Sequence, residues 1–146
     1  MAPWRRKTKR DARGAKLPFI EVACVLSERN LTHASALLRE VEGWGIDGID
    51  FTHRNFLSGA KIAEHLRRFE QDFGVRHDDC WAGLRCDDPI DYVEQCVSLV
   101  HDLRRIDTRM RLNFFPDFSE DDIRGFYKDP DYRPAATEPM CLAPWL

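Results

Sequence analysis

No run of apolar residues in this sequence approaches the ~20 needed to cross a bilayer as a helix, so a soluble chain is expected. No secretory signal stands in front of the cysteines, so export is not expected, and there are no internal repeats or low-complexity tracts. No C-x-x-C pair occurs either. The five cysteines, Cys24, Cys80, Cys86, Cys96 and Cys141, are an odd number. A disulfide framework is therefore not expected, and a reducing, cytoplasmic setting is. Five residues separate Cys80 from Cys86 and no histidine spacing completes a tetrahedral set, which sets aside a structural zinc site. At 146 residues the chain is also short for a closed eight-stranded α/β barrel, which takes about 250.

What is present fits one globular domain, with 43% hydrophobic and 32% charged residues. The net charge of -3 conceals an asymmetry. Residues 1–16 carry Arg5, Arg6, Lys7, Lys9, Arg10, Arg13 and Lys16 against Asp11 alone, so this stretch is +6 and the remainder -9. A nucleic-acid arm would be followed by a basic–aromatic pattern further along the chain, and no such pattern follows. The stretch is read as a basic, disordered leader.

From Pro18 to Leu26 the chain is a nearly continuous apolar run of strand length, the pattern of a buried parallel strand. Asn30 or Thr32 can cap a helix whose Ala34, Leu37, Leu38, Val41 and Trp44 form one stripe, with Gly43 and Gly45 at its end. Ile46 to Phe51 alternates apolar and acidic residues, and closes a βαβ unit of the kind that crosses over right-handed. A second helix carries Ile62, Leu66, Phe69 and Phe73 and stops at Gly74; a third, from Pro89, carries Val93, Val97, Val100 and Leu103. Met110 to Pro116 reads as the third strand, and Ser119 with Asp122 as a capping box opening a short helix through Tyr127. Beyond Lys128 the chain is a proline-rich loop that holds Cys141. The fold class is α/β, with three β/α units in series.

The pieces resemble the second half of the radical S-adenosylmethionine (SAM) barrel. Leu17 through Asn30 is similar to its fourth strand, Gly45 to Phe56 to its fifth, and Phe114 to Ser119 to its sixth. Lys128-Asp129-Pro130-Asp131, followed by Cys141-Leu142-Ala143-Pro144-Trp145, resembles the approach to a SPASM-type iron–sulfur segment. The resemblance covers nearly all of the chain from about residue 14. It implies a partial, half parallel β/α barrel over residues 17–128 and the start of a SPASM-like segment over 129–146. The intact family uses SAM and a [4Fe–4S] cluster held by C-x-x-x-C-x-x-C, because soft thiolates are needed to hold and tune the cluster. That motif is absent here. The expectation is a fragment or degenerate form that contributes part of a SAM and substrate wall, binds no cluster stably by itself, and is inactive alone.

Ligands of α/β barrels sit at the carboxyl ends of the strands. That position selects Ser27 and Asn30, then Thr52, His53 and Asn55, then Asn113 and Phe115. Thr52, His53, Asn55 and Asn113 are the candidate substrate-facing residues. The resemblance implies that Ser27 and Asn30 help hold the SAM ribose, that Ile49, Phe114 and Phe115 line the adenine, and that Cys141 is the cysteine tied to metal. Ordinary core remains the alternative for Phe114 and Phe115, and a capping or surface role for His53. Asp47 and Asp50 fall on opposite faces of a strand and form no carboxylate pair; Cys24 reads as a small hydrophobe.

Two other functions are consistent with the residues. A non-catalytic half-barrel could dock through an exposed sheet edge at the Pro18 strand, against a missing N-terminal half-barrel or a self-associating copy. A metal-dependent isomerase would use Asp50 and His53 as ligands. Neither a membrane nor a nucleic acid is expected as a partner.

Overall fold

The computed structural model describes residues 9–10, 16–76, 81–87, 90–129 and 132–134. The chain divides into two compact units, Met1–Arg54 with Glu94–Asp117, and Asn55–Val93 with Phe118–Leu146. In chain order the strands are β1 (Lys9–Arg10), β2 (Lys16–Leu17), β3 (Glu21–Leu26), β4 (Gly48–His53) and β5 (Arg111–Phe115). The helices are α1 (Ala34–Gly43), α2 (Gly59–Phe73), α3 (Val93–Arg104) and α4 (Glu120–Lys128). The expected α/β class with parallel strands is what the structure shows. Among the described residues no helix is long and apolar enough to cross a membrane. Cys141 and the proline-rich stretch around it lie outside the described residues, as do Cys80, Pro89 and most of residues 1–16; β1 and β2 pair with each other, antiparallel.

The first unit is built on a three-stranded parallel sheet in the order β3-β4-β5. Its strands begin and end slightly differently from the sequence expectation, and at their amino ends Asp47 links all three. The Asp47 carboxylate accepts from the Ile20 N–H at 2.9 Å, and the Asp47 and Gly48 N–H groups both donate to the Ile20 carbonyl. The Arg111 N–H donates to the Asp47 carbonyl at 2.9 Å. One residue thus gathers the amino ends of all three strands and delays the ladder to Glu21 and Gly48. The central strand then runs to His53, two residues beyond the expected Phe51.

Alternation along β4 decides the core. Ile49, Phe51 and His53 point to one face and are buried, while Asp50 and Thr52 point to the other and are only half-buried. On the first face Phe51 stacks on Phe114 of β5 with ring centroids 5.9 Å apart. Helices α1 and α3 cover that face: α1 brings Ala34, Leu38 and Val41, and α3 brings Cys96, Val97, Val100 and Leu103, all buried. Both helices fall on the same side, the outcome that right-handed crossovers give when strand order is sequential. Each fully buried Leu, Ile or Phe contributes about 1.5–3 kcal/mol here relative to exposure.

Asn30 does not cap α1. Its Oδ1 accepts from the Ser27 N–H at 2.9 Å and its Nδ2 donates to the Val25 carbonyl at 2.7 Å, so it closes the turn leaving β3. Thr32 falls within a 3-10 turn, Leu31–His33, that leads into the helix.

In the second unit the Ser58 side chain caps α2 by accepting from the Lys61 N–H, and Gly74, at φ 67°, ends the helix in the left-handed region. The loop Ala82–Asp87 is pinned to the start of α2. Leu57 and Arg85 form a parallel bridge, and Asp87 accepts from the Gly59 N–H and from Arg85, both at 2.6 Å. Those bonds hold Asp87 below the usual carboxylate range, the Gly59 bond first. Ser119 and Asp122 form the expected capping box of α4. Asp122 also accepts from the Tyr132 hydroxyl at 2.6 Å, and Tyr132 lies so close over Gly125 that a side chain there would collide with its ring.

Candidate functional site

The face of the sheet opposite α1 and α3 carries a layered arrangement set by the register. Three rungs cross the strands from their amino to their carboxyl ends: Glu21, Gly48 and Arg111; then Ala23, Asp50 and Asn113; then Val25, Thr52 and Phe115. In the first rung Glu21 and Arg111 reach across the central strand, and the Glu21 carboxylate accepts from the Arg111 guanidinium at 2.6 and 3.0 Å. Gly48 makes this crossing possible. A Cβ at that position would sit 2.8 Å from the Glu21 Oε1 and 3.1 Å from the Arg111 carbonyl oxygen. The same guanidinium lies over the Phe19 ring, 5.0 Å from its centroid.

In the second rung the Asn113 Nδ2 donates to Asp50 Oδ1 at 2.7 Å. That bond fixes both side chains and leaves the second Asp50 oxygen as an acceptor beside the Asn113 carbonyl. The third rung is the rim. Val25 is 53% exposed and Phe115 68% exposed, with the Thr52 hydroxyl between them. An open face thus combines an ion pair as a floor, a carboxylate–amide pair at mid-height, and a hydroxyl with two apolar groups at the end where α/β proteins hold ligands.

The sequence-selected residues do not all converge here. Thr52, Asn113 and Phe115 do. Ile49 and Phe114 lie on the helix-covered face, because the period of two sends them away from Thr52 and Phe115; Phe114 instead packs between Phe51 and the Arg104 guanidinium, 5.1 Å from its ring. They cannot line a ligand on the open face. Ser27 and Asn30 sit in the turn after β3, with the Asn30 amide committed to the backbone. Asn55 is exposed and belongs to the second unit.

His53 is 1% exposed on the covered face, neither a surface nor a cavity residue, and its Nδ1 is 3.9 Å from the Cys96 Sγ of α3. Burial, reinforced by the Arg104 charge, pushes its pKa down to about 4, so it is neutral at physiological pH. Asp50 and His53 therefore lie on opposite faces, and the two-ligand isomerase site expected of them does not form. Among the described residues no group of three or more His, Cys, Asp or Glu side chains could hold a metal ion.

Residues that sequence reasoning did not select are Glu21, Gly48, Arg111 and Asp50's partner geometry. Local patterns carry no register between strands 90 residues apart, so the Glu21–Arg111 pair left no signal. A cleft of about 750 Å³ at the opposite end of the sheet, lined by Phe19, Glu42, Asp47, Thr108 and Arg109, is a structural joint. There the Arg109 N–H and the Thr108 hydroxyl, at 2.9 and 3.0 Å, hold Glu42 below the usual carboxylate range and tie α1 to the loop before β5.

No family model, curated protein or solved structure matches the chain. Function is therefore read from the site itself.

Proposed function

We propose that this chain supplies three consecutive β/α units of a parallel barrel of the radical SAM kind, and that the open sheet face is part of the wall around a small ligand. One observation carries the reading: a sequential parallel sheet with both of its unit's helices on one face and polar, layered side chains on the other. That sidedness is what a barrel wall requires, and the similarity of the strands to the radical SAM half-barrel supports the particular family.

The open face suits the adenosyl part of SAM. Asp50 and Asn113 can bond hydroxyl groups of a ribose, Thr52 can bond an adjoining polar edge, and Val25 and Phe115 offer apolar contact to a base. A [4Fe–4S] cluster does not fit the described residues. Cys24 lies half-buried on the covered face of β3, Cys86 is in the second unit and Cys96 is buried under the sheet, so they supply no set of three thiolates. The chain's part on this reading is binding, since SAM cleavage in the family uses the C-x-x-x-C-x-x-C motif that this sequence lacks.

Calorimetric titration of the purified chain with SAM tests this. Binding in the millimolar range, weakened about tenfold by Asp50→Ala and unchanged by Ser119→Ala, is the expected result, tenfold being about 1.4 kcal/mol. Binding that ignores Asp50→Ala contradicts the placement of the site.

A further inference from the structure

The charged side chains on the rungs of the open face are Glu21, Arg111 and Asp50, and they do not cancel. Glu21 and Arg111 pair with each other at 2.6 and 3.0 Å, and the same guanidinium lies over Phe19. Asp50 stands half-buried in the middle of the central strand, and its partner is neutral, the Asn113 amide at 2.7 Å. Among the described residues no cation pairs with Asp50. A carboxylate partly withdrawn from water, with only an amide beside it, favours a positive charge nearby.

What lies above Asp50 narrows the kind of cation. The register sets Asp50 beside Asn113 and Thr52 beside Phe115, so Phe115 is one rung up on the neighbouring strand. Strand spacing and rise put such diagonal positions roughly 8 Å apart. One positive centre can therefore touch the carboxylate on one side and the ring on the other, inside the ~6 Å over which a cation–π contact acts. Phe115 is 68% exposed and Val25 53%, so both apolar groups are open to a ligand. An alkylated onium centre, a sulfonium or quaternary ammonium, is weakly hydrated and presents carbon substituents that pack against them. A bare ammonium forgoes that contact. We infer that the open face selects its ligand by charge, with an alkylated onium centre held between the Asp50 carboxylate and the Phe115 ring, and Asp50 as the residue that tells a cationic ligand from its neutral counterpart. This inference rests on reading the open face as a ligand wall and names what that wall recognises. SAM is of the required class: its sulfonium lies a few bonds from the ribose hydroxyls that Asp50 can accept from, within reach of Phe115. Loss of the sulfonium methyl gives S-adenosylhomocysteine, a neutral thioether with the same base, sugar and amino acid.

The test measures, on the full chain, the bound fractions of SAM and S-adenosylhomocysteine at equal millimolar concentrations by ligand-observed NMR. The unmodified chain should favour SAM about tenfold, the scale of an ion pair in water-like surroundings joined to one exposed cation–π contact. Asp50→Asn keeps an oxygen acceptor for Asn113 and should lower the preference to under about threefold. Phe115→Leu, at an exposed position that leaves folding intact, should give an intermediate preference, and the double variant none. Both ligands carry the same ribose, so any ribose bond lost with Asp50 cancels in the ratio. Small probes separate charge from the adenosyl group. Tetramethylammonium should shift the methyl signals of Val25 and Thr52, whereas tert-butyl alcohol, neutral and of similar size, and ammonium chloride should not. Equal affinity of the unmodified chain for SAM and S-adenosylhomocysteine, or a preference that survives Asp50→Asn intact, overturns charge selection and leaves the wall reading standing. Ammonium chloride acting as strongly as tetramethylammonium overturns the onium assignment. Tetramethylammonium binding that depends on Asp50, with no binding of SAM, overturns the SAM reading alone, and no binding of either overturns both.

Discussion

The two faces of the β3-β4-β5 sheet are made by the same three strands, yet they differ in nearly every physical respect. One face is apolar and dry. It carries Ile49, Phe51 and Phe114 under two helices, with a histidine held neutral by burial. The other is layered by charge, amide and hydroxyl, and leaves Val25 and Phe115 in contact with solvent. A free-standing α/β domain covers both faces of a parallel sheet with helices; a barrel wall covers one and turns the other toward a ligand. The contrast teaches that, on the proposed reading, stability and ligand binding are separated by a single step along β4, from Phe51 to Thr52.

The largest effect that could break this contrast is on the covered face. Phe51→Ala should cost about 3–5 kcal/mol of unfolding free energy, from lost transfer and cavity formation, measured by urea denaturation; a cost near that of a surface change would show that the dry face is not the core. The next is a pH effect at the same face. Because the His53 pKa falls from 6.5 to about 4 on folding, the unfolded chain binds the proton more readily. Stability is fully present above pH 6.5 and declines by up to about 1.4 kcal/mol per pH unit between 6.5 and 4. His53→Leu should flatten that slope when stability is followed against pH, and an unchanged slope would move its origin elsewhere.

On the open face the effects are smaller. Gly48→Val should cost about 1–3 kcal/mol, because the new side chain occupies the space where Glu21 meets Arg111. Removing the charge with Glu21→Gln should cost under about 1 kcal/mol, as exposed pairs do. Thr52→Ala should change stability by no more than about 0.5 kcal/mol while weakening SAM binding, and the two readouts moving together would blur the contrast.

How much of this the residues announce in advance depends on the range of the interaction. The Ala34, Leu38 and Val41 part of the α1 stripe, the Gly74 stop and the Ser119–Asp122 box are set within a few residues and are legible directly, whereas Trp44, read as the end of that stripe, caps the helix and is 54% exposed. The strands are legible as strands, but their phase depends on where pairing begins, and that is set by the Asp47 carboxylate gripping the Ile20 amide 27 residues away. Counting by twos from Ile49 places His53 in the core; ending the strand at Phe51 leaves its side undecided. Phe114 and Phe115 show the same limit, since two adjacent aromatics must face opposite ways and only the register tells which is dry. The Gly48 crossing of Glu21 and Arg111 has no local signature at all.

The most direct test of the central claim compares methyl groups on the two faces by NMR as SAM is added to the full chain. Those of Ala23, Val25 and Thr52 should shift, while those of Val22, Ile49 and Leu112 stay in place. Shifts confined to the second set, or absent from both at millimolar SAM, would contradict the assignment of the open face as a ligand wall.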